Sequence, residues 1–416
     1  MKSNYKKIGE HIQLVDERNT GLKVKEFLGL SISKQFIPSV ANIIGTDMEN
    51  YKVIRKNQFA CSTMQVRRDK KMPVALLQEV DEAIISQAYP VFEVKDENEL
   101  LPEYLMMWFT RSEFDREACF HAVGGVRGSL EWEDFCDMQL PIPSPAKQKE
   151  IIKEYKVIQN RIALNQQLIQ KLEETAQAIY KQWFVDFEFP DETGKPYKSN
   201  GGEMIFDKEL EKEIPHGWNY GQLGDLIEVV NGYAFGSEDF GVCGGYPIIK
   251  IANIIPPEIK LETAQYFSGD LNNSIKKSLV EYGDILISMT GSHMNQINSA
   301  VGKIGRYNYD SPAIMNQRVG MLKPRIECSE FLLQIVSKEE TQKEVLMSAT
   351  GSANQANISP QTIKSVGVII PSTRILKLFE ECGSKIRIQK DNYGRQNTKL
   401  NQLKSLLLSK LATIEN

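Results

Sequence analysis

Residues 129–143 read SLEWEDFCDMQLPIP, and residues 357–371 read NISPQTIKSVGVIIP. Leu130, Phe135 and Pro143 have the same spacing as Ile358, Ile363 and Pro371, which lie 228 positions later. Each set follows a small polar loop with glycine, HAVGGVRG at 121–128 and SATGSANQA at 348–356, which either turns the chain into the next strand, the favoured reading, or approaches a phosphate. A repeat of this length means two copies of one folding unit. It extends upstream, where KKIGEHIQLV at 6–15 resembles GQLGDLIEVV at 221–230 and IISQAYPVF at 84–92 resembles IMNQRVGML at 314–322. The offset drifts from 215 to 230 between these anchors, so the framework repeats while its loops differ in length.

Downstream of Pro143 the apolar spacing becomes heptad-like, with one stripe at Ile151, Ile158, Asn165, Leu172 and Ile179 and another at Tyr155, Ile162, Ile169, Ala176 and Trp183. That is the pattern of a long helix with a packed seam. The first stripe recurs 228 positions later as Phe379, Ile386, Tyr393, Leu400 and Leu407. Its companion there is polar, with Gly383, Lys390, Asn397 and Lys404 before Leu411. Gly383 and Gly394 each cost about 1 kcal/mol relative to alanine inside a helix, so the second helix is expected to be the weaker and its continuity is open. A helix over 145–183 would run roughly 58 Å at 1.5 Å per residue. The stripes can pack on their own domains or on each other. The repeat favours the second arrangement, an antiparallel intramolecular coiled coil with pseudo-two-fold symmetry that holds two domains apart.

Short apolar runs such as FACSTM, VALLQ, AYPVFEV, DILISM and VGVII, broken by Gly, Asn, Asp and Pro, read as strands. Helical stretches at 102–120 and 329–347 match between the halves. The fold class is therefore α+β: two similar mixed α/β domains at 1–144 and 213–371, and long spacer helices at 145–185 and 372–416. The polar, turn-rich residues 186–212 read as a linker. PDETGK within it superficially resembles a nuclease motif, but its adjacent carboxylates are not placed to share a metal.

With 416 residues, 41% of them hydrophobic and 25% charged, the chain has material for two or three cores. The amino terminus lacks a signal-like apolar segment, and no apolar run reaches membrane-spanning length, so a cytoplasmic protein without a membrane partner is expected. Six cysteines and four histidines are scattered without metal-site spacing. A net charge of −4 and a pI near 5.8 argue against coating DNA by bulk charge, so any nucleic-acid role needs local basic faces. Catalytic motifs are missing: there is no GxxxxGK[ST] phosphate loop, no NPPY-like motif and no glycine-rich fingerprint for S-adenosylmethionine. NIIPPE at 253–258 lacks a stacking aromatic, and Ser292–His293 is an isolated pair.

ETAQAIYKQWFVDFEFP at 174–190, GKPYKSNGGEM at 194–204 and EIPHGWNYGQLGDL at 213–226 resemble the passage from central helix to second domain in the specificity subunits of type I restriction-modification systems. ISQAYPVF at 85–92, YGDILISMTGS at 282–292 and VGKIG at 301–305 resemble strand motifs of that family's target-recognition domains. The resemblance covers nearly the whole chain. It implies two target-recognition domains, each reading one half of a bipartite double-stranded DNA site. The helices would set the gap and dock two methyltransferase subunits, with restriction subunits as further partners. The chain itself would be no enzyme and hold no cofactor; S-adenosylmethionine, ATP and magnesium would sit on the partner subunits. The competing reading is a two-domain coiled-coil adaptor that recognises protein.

Base readout calls for Arg or Lys at guanine and Asn or Gln at adenine, with cations for phosphates. The first half offers Arg67, Arg68, Lys70 and Lys71 in a basic turn, and Arg127 in the glycine loop. The second offers His293, Asn295, Gln296 and Asn298 after DILISMTG, with Lys303, Arg306 and Arg318.

Overall fold

The structure, a computed structural model, describes residues 5–39, 47–125, 128–292, 301–352 and 355–414. The chain divides into two units, Met1–Gln166 with Arg395–Asn416, and Gln167–Gly394. Two long helices, Pro145–Phe184 and Thr373–Lys410, each begin in one unit and end in the other.

The first unit is built on an antiparallel sheet with strand order Ile12–Val15, Val91–Val94, Phe59–Cys61, Val74–Leu76. These segments are rich in β-branched and aromatic residues, which suit a pleated, half-buried surface. Phe59 and Phe92 face each other across neighbouring strands with ring centroids 4.9 Å apart. Phe109, Phe114 and Phe135 close the core from the helices Pro102–Phe109, Ser112–His121 and Trp132–Asp137. A short strand, Tyr5–Lys7, pairs with Gln139–Pro141, and so ties the start of the chain to the segment that leads into the first long helix.

The second unit repeats this plan. Its sheet begins in the same order with Ile227–Asn231, Val319–Pro324, Ile285–Ser288 and Ile304–Arg306, then adds Glu258–Ile259 and Ile254–Ile255. Registers match as well. Tyr5 faces Pro141 as Tyr220 faces Ile369, Ile12 faces Val94 as Ile227 faces Pro324, and Phe59 faces Phe92 as Ile285 faces Leu322. The mixed helix-and-strand class and the duplicated halves are thus present in the fold.

Residues 186–212 are no free linker. Phe187 and Phe189 are 2% and 4% exposed, and the Phe189 ring stacks on Tyr197 at 4.5 Å and on Trp218 at 4.9 Å. Met204–Asp207 and Lys212–Pro215 follow as a hairpin. The aromatic residues of FVDFEF bury against the second unit's core, which overrides the polar composition around them.

Every member of both stripes on both long helices is at least partly buried, including the polar companions on the second helix. The second helix is unbroken, because each polar member has something to meet. In the first unit Asn165, fully buried, donates from Nδ2 to Asn397 Oδ1 at 2.9 Å, and the Lys404 ammonium lies 5.6 Å from the Tyr155 ring centroid. In the second unit Lys390 pairs with Glu173 at 2.6 Å, and the Phe379 ring meets Tyr180 and Trp183 at 6.2 and 5.7 Å. Within each unit, residues earlier on the first helix meet residues later on the second, so the two segments run antiparallel.

Gly383 answers to a buried charge cluster of the second unit. Glu330 accepts both Arg306 Nη1, at 2.6 and 2.8 Å, and Arg387 Nε at 2.8 Å, while its backbone N–H donates to Glu380 at 2.8 Å. A methyl group at Gly383 would sit 2.8 Å from Glu330 Cβ, whereas one at Gly394 would meet nothing within 4 Å. Alanine is preferred to glycine in a helix by about 1 kcal/mol. Gly394→Ala is therefore expected to raise stability by up to about that amount and Gly383→Ala to lower it, although both add the same methyl to the same helix. Thermal denaturation of the two variants distinguishes these signs.

Candidate nucleic-acid interface

A single backbone hydrogen bond occurs at equivalent places in the two units. Leu130 N–H donates to Thr63 at 2.9 Å, and Ile358 N–H donates to Met289 at 2.9 Å. Each fastens the chain leaving the glycine loop to the chain leaving the central strand, Phe59–Cys61 or Ile285–Ser288. The described residues on either side of each glycine loop pair with one another. Val123 and Ser129 exchange hydrogen bonds of 2.8 and 2.9 Å, and Thr350–Ser352 pairs with Gln355–Asn357, which also pairs with Thr290–Gly291.

In the first unit the segment leaving the central strand is the basic turn. Val66–Asp69 forms one helical turn bracketed by Gln65 and Lys70, whose φ angles of 64° and 51° are left-handed without being glycine. Such conformations persist only where the surroundings enforce them, and here they do. Arg67 donates to Ala122 at 2.5 Å and to Gly124 at 3.1 Å, so it is spent on holding the glycine loop. Asp115 accepts Met72 N–H at 3.1 Å and the Lys34 ammonium at 2.8 Å. Lys34 is 7% exposed and its pKa is lowered by burial, although Asp115 opposes the shift.

What remains outward is cationic. Arg68 pairs with Asp69 at 2.6 Å, a hydrogen bond that raises its own pKa and lowers the aspartate's. Lys70 and Lys71 are exposed and make no hydrogen bond or ion pair among the described residues. In the second unit Lys303 and Arg318 flank the corresponding loop. Lys303 is partly buried and Arg318 exposed, and the Arg318 carbonyl accepts Met289 N–H at 2.9 Å.

Arg306 must be removed from the candidate set. It lies in the strand Ile304–Arg306, is 5% exposed, and its guanidinium is committed to Glu330 and to the Ser329 carbonyl. Arg127, His293, Asn295, Gln296 and Asn298 lie outside the described residues. Lys34 and Asp115 carried no sequence signal, since the chain brings them together across 81 positions. Among the described residues no group of three or more His, Cys, Asp or Glu side chains could hold a metal ion.

A family model described as the type I restriction modification DNA specificity domain matches residues 47–174 and again residues 215–404. The chain belongs to this family. It is 22% identical over 423 residues to the type I restriction enzyme HindI specificity subunit of Haemophilus influenzae, covering 89% of each chain. It is 24% identical over 318 residues to the MjaIX specificity subunit of Methanocaldococcus jannaschii, covering 75% of this chain and 68% of that one. The crystal structure of a type I restriction-modification S subunit from M. genitalium shares the fold, with a TM-score of 0.59 at 15% identity over 100% of this chain and 98% of that one. A type I specificity subunit is a non-catalytic component, and the protein-recognising adaptor finds no support.

The ion pair beneath the basic turn holds the segment that follows it, through Asp115 to Met72 N–H and to the Lys34 ammonium. Asp115→Ala strands a buried ammonium and is expected to lower stability by about 3–5 kcal/mol. Adding Lys34→Met removes the stranded charge and should recover part of that loss, the buried Met72 N–H remaining without its acceptor. Chemical denaturation of the single and double variants measures the coupling.

Proposed function

We propose that each unit reads one half of a bipartite double-stranded DNA site, and that the two long helices fix the gap between the halves. The observation that carries this is the repeated fastening of a glycine turn to the segment after the central strand. Two reading loops on one framework suit two half-sites. The negative net charge is no obstacle, since Arg68, Lys70 and Lys71 form a local basic face, and backbone phosphates demand only local cations. Specific contacts would come from these loops, with Lys303 and Arg318 serving the second half-site.

The helices, in this reading, also dock two methyltransferase subunits, because a duplicated framework offers two related surfaces to two copies of one partner. Restriction subunits would join the same assembly. S-adenosylmethionine, ATP and magnesium would be held by those partners, and the complex would act in the cytoplasm. No described helix is long and apolar enough to cross a membrane.

The ruler claim has a direct test. Inserting seven residues after Gln167 and seven after Arg395 keeps the heptad phase and lengthens each helix by about 10 Å. At ~3.4 Å per base pair this should widen the gap by about three base pairs with both half-site sequences kept. Modification mapping that returned the original gap would contradict the ruler.

A further inference from the structure

Two large apolar side chains stand in solvent at the same place in the two units. Phe120 is 82% exposed and Met347 is 80% exposed. They are 227 positions apart, the offset that also relates Ser112 to Glu339, the first residues of the helices that carry them. Neither lies on its helix's buried side, which is formed by Phe114 and Ala118 in one case and Val345 in the other. Each immediately precedes a glycine turn.

In the first unit Phe120 borders the basic turn. The neighbouring Cys119 thiol donates to the Val66 carbonyl at 3.4 Å, and the Ala122 carbonyl receives Arg67. Met64, within the segment that enters the turn, and Val123, at the root of the glycine loop, are 47% and 55% exposed. Exposed apolar groups thus border a turn whose Lys70 and Lys71 make no ion pair among the described residues. In a chain of net charge −4 that combination complements a duplex, which offers phosphates to the cations and base steps to the apolar groups.

We propose that Phe120 and Met347 are equivalent apolar DNA contacts, one for each half-site, pressing on base pairs beside the cations that take the phosphates. This rests on the reading of the units as half-site readers. It extends that reading to residues whose type is absent from the usual hydrogen-bonding set, and it accounts for a costly exposure that occurs twice.

The test uses the full chain assembled with its methyltransferase subunits and a duplex carrying the bipartite site found by modification mapping. Phe120→Ala and Met347→Ala are each expected to weaken specific binding roughly tenfold, the scale of one disrupted base-pair position in a specific site. The slope of log affinity against log salt should stay as it was, because no ion pair is removed. Lys71→Ala, by contrast, should reduce that slope by about 1. Assembly with the methyltransferase, followed by gel filtration, should be unaffected by either apolar variant. Unchanged DNA affinity would overturn the proposal. Lost assembly with intact DNA affinity in the remaining complex would overturn it too, and would give the patch to the methyltransferase. If the unaltered complex showed no sequence-specific binding, the half-site reading would fall along with the contact.

Discussion

An amide pair in the helix seam, the buried Asn165 with the half-buried Asn397, carries the constraint on which the long helices depend. An asparagine in a helix seam costs stability unless it meets a partner, and it can do so in only one alignment. Shifting the second helix by a turn would take Asn397 away from Asn165 and break the 2.9 Å hydrogen bond between them. The ion pair of Lys390 with Glu173 and the packing of Gly383 on Glu330 add further contacts that suit the observed alignment. A seam of uniform leucines would hold more strongly but specify less. The proposed role of the helices as a spacer would need that specification.

The two units use different means for one mechanical task, the anchoring of a recognition domain to its helix segments. In the second, Arg306, Glu330 and Arg387 form a buried ionic cluster between the sheet, a domain helix and the second long helix. In the first, the fully buried Gln148 amide takes Leu101 N–H and donates to the Glu99 and Pro143 carbonyls, all three at 2.8 Å. Equivalent framework with unlike fastening is what two copies of a unit become when each has had to satisfy its own buried polar groups.

Much of the fold was legible in the sequence because it depends on local period. The heptad stripes and the strand-like runs follow from spacing within a few turns or strands, and the offset of 228 from matching such local patterns between the halves. The polar companion stripe was visible too, but its meaning was not, since Asn397 and Lys390 make sense only beside residues more than 200 positions away. Arg306 misled for the same reason. It reads as a loop cation until Glu330 and Arg387 are brought to it. Phe187 and Phe189 could have been found, for their alternation in FVDFEF is a burial signal inside a polar stretch. Of the candidate site, the basic turn was legible as charge, while Lys34 and Asp115, which hold it, were not.

The central claim is that each unit reads its own half of one bipartite site. Genomic modification mapping with the chain intact, and with residues 66–71 replaced by an uncharged turn, tests it most directly. The account predicts that the intact chain gives one bipartite motif, and that the replacement degrades only one half of it at an unchanged gap. Degradation of both halves together, or a motif that does not respond to the replacement, would contradict it.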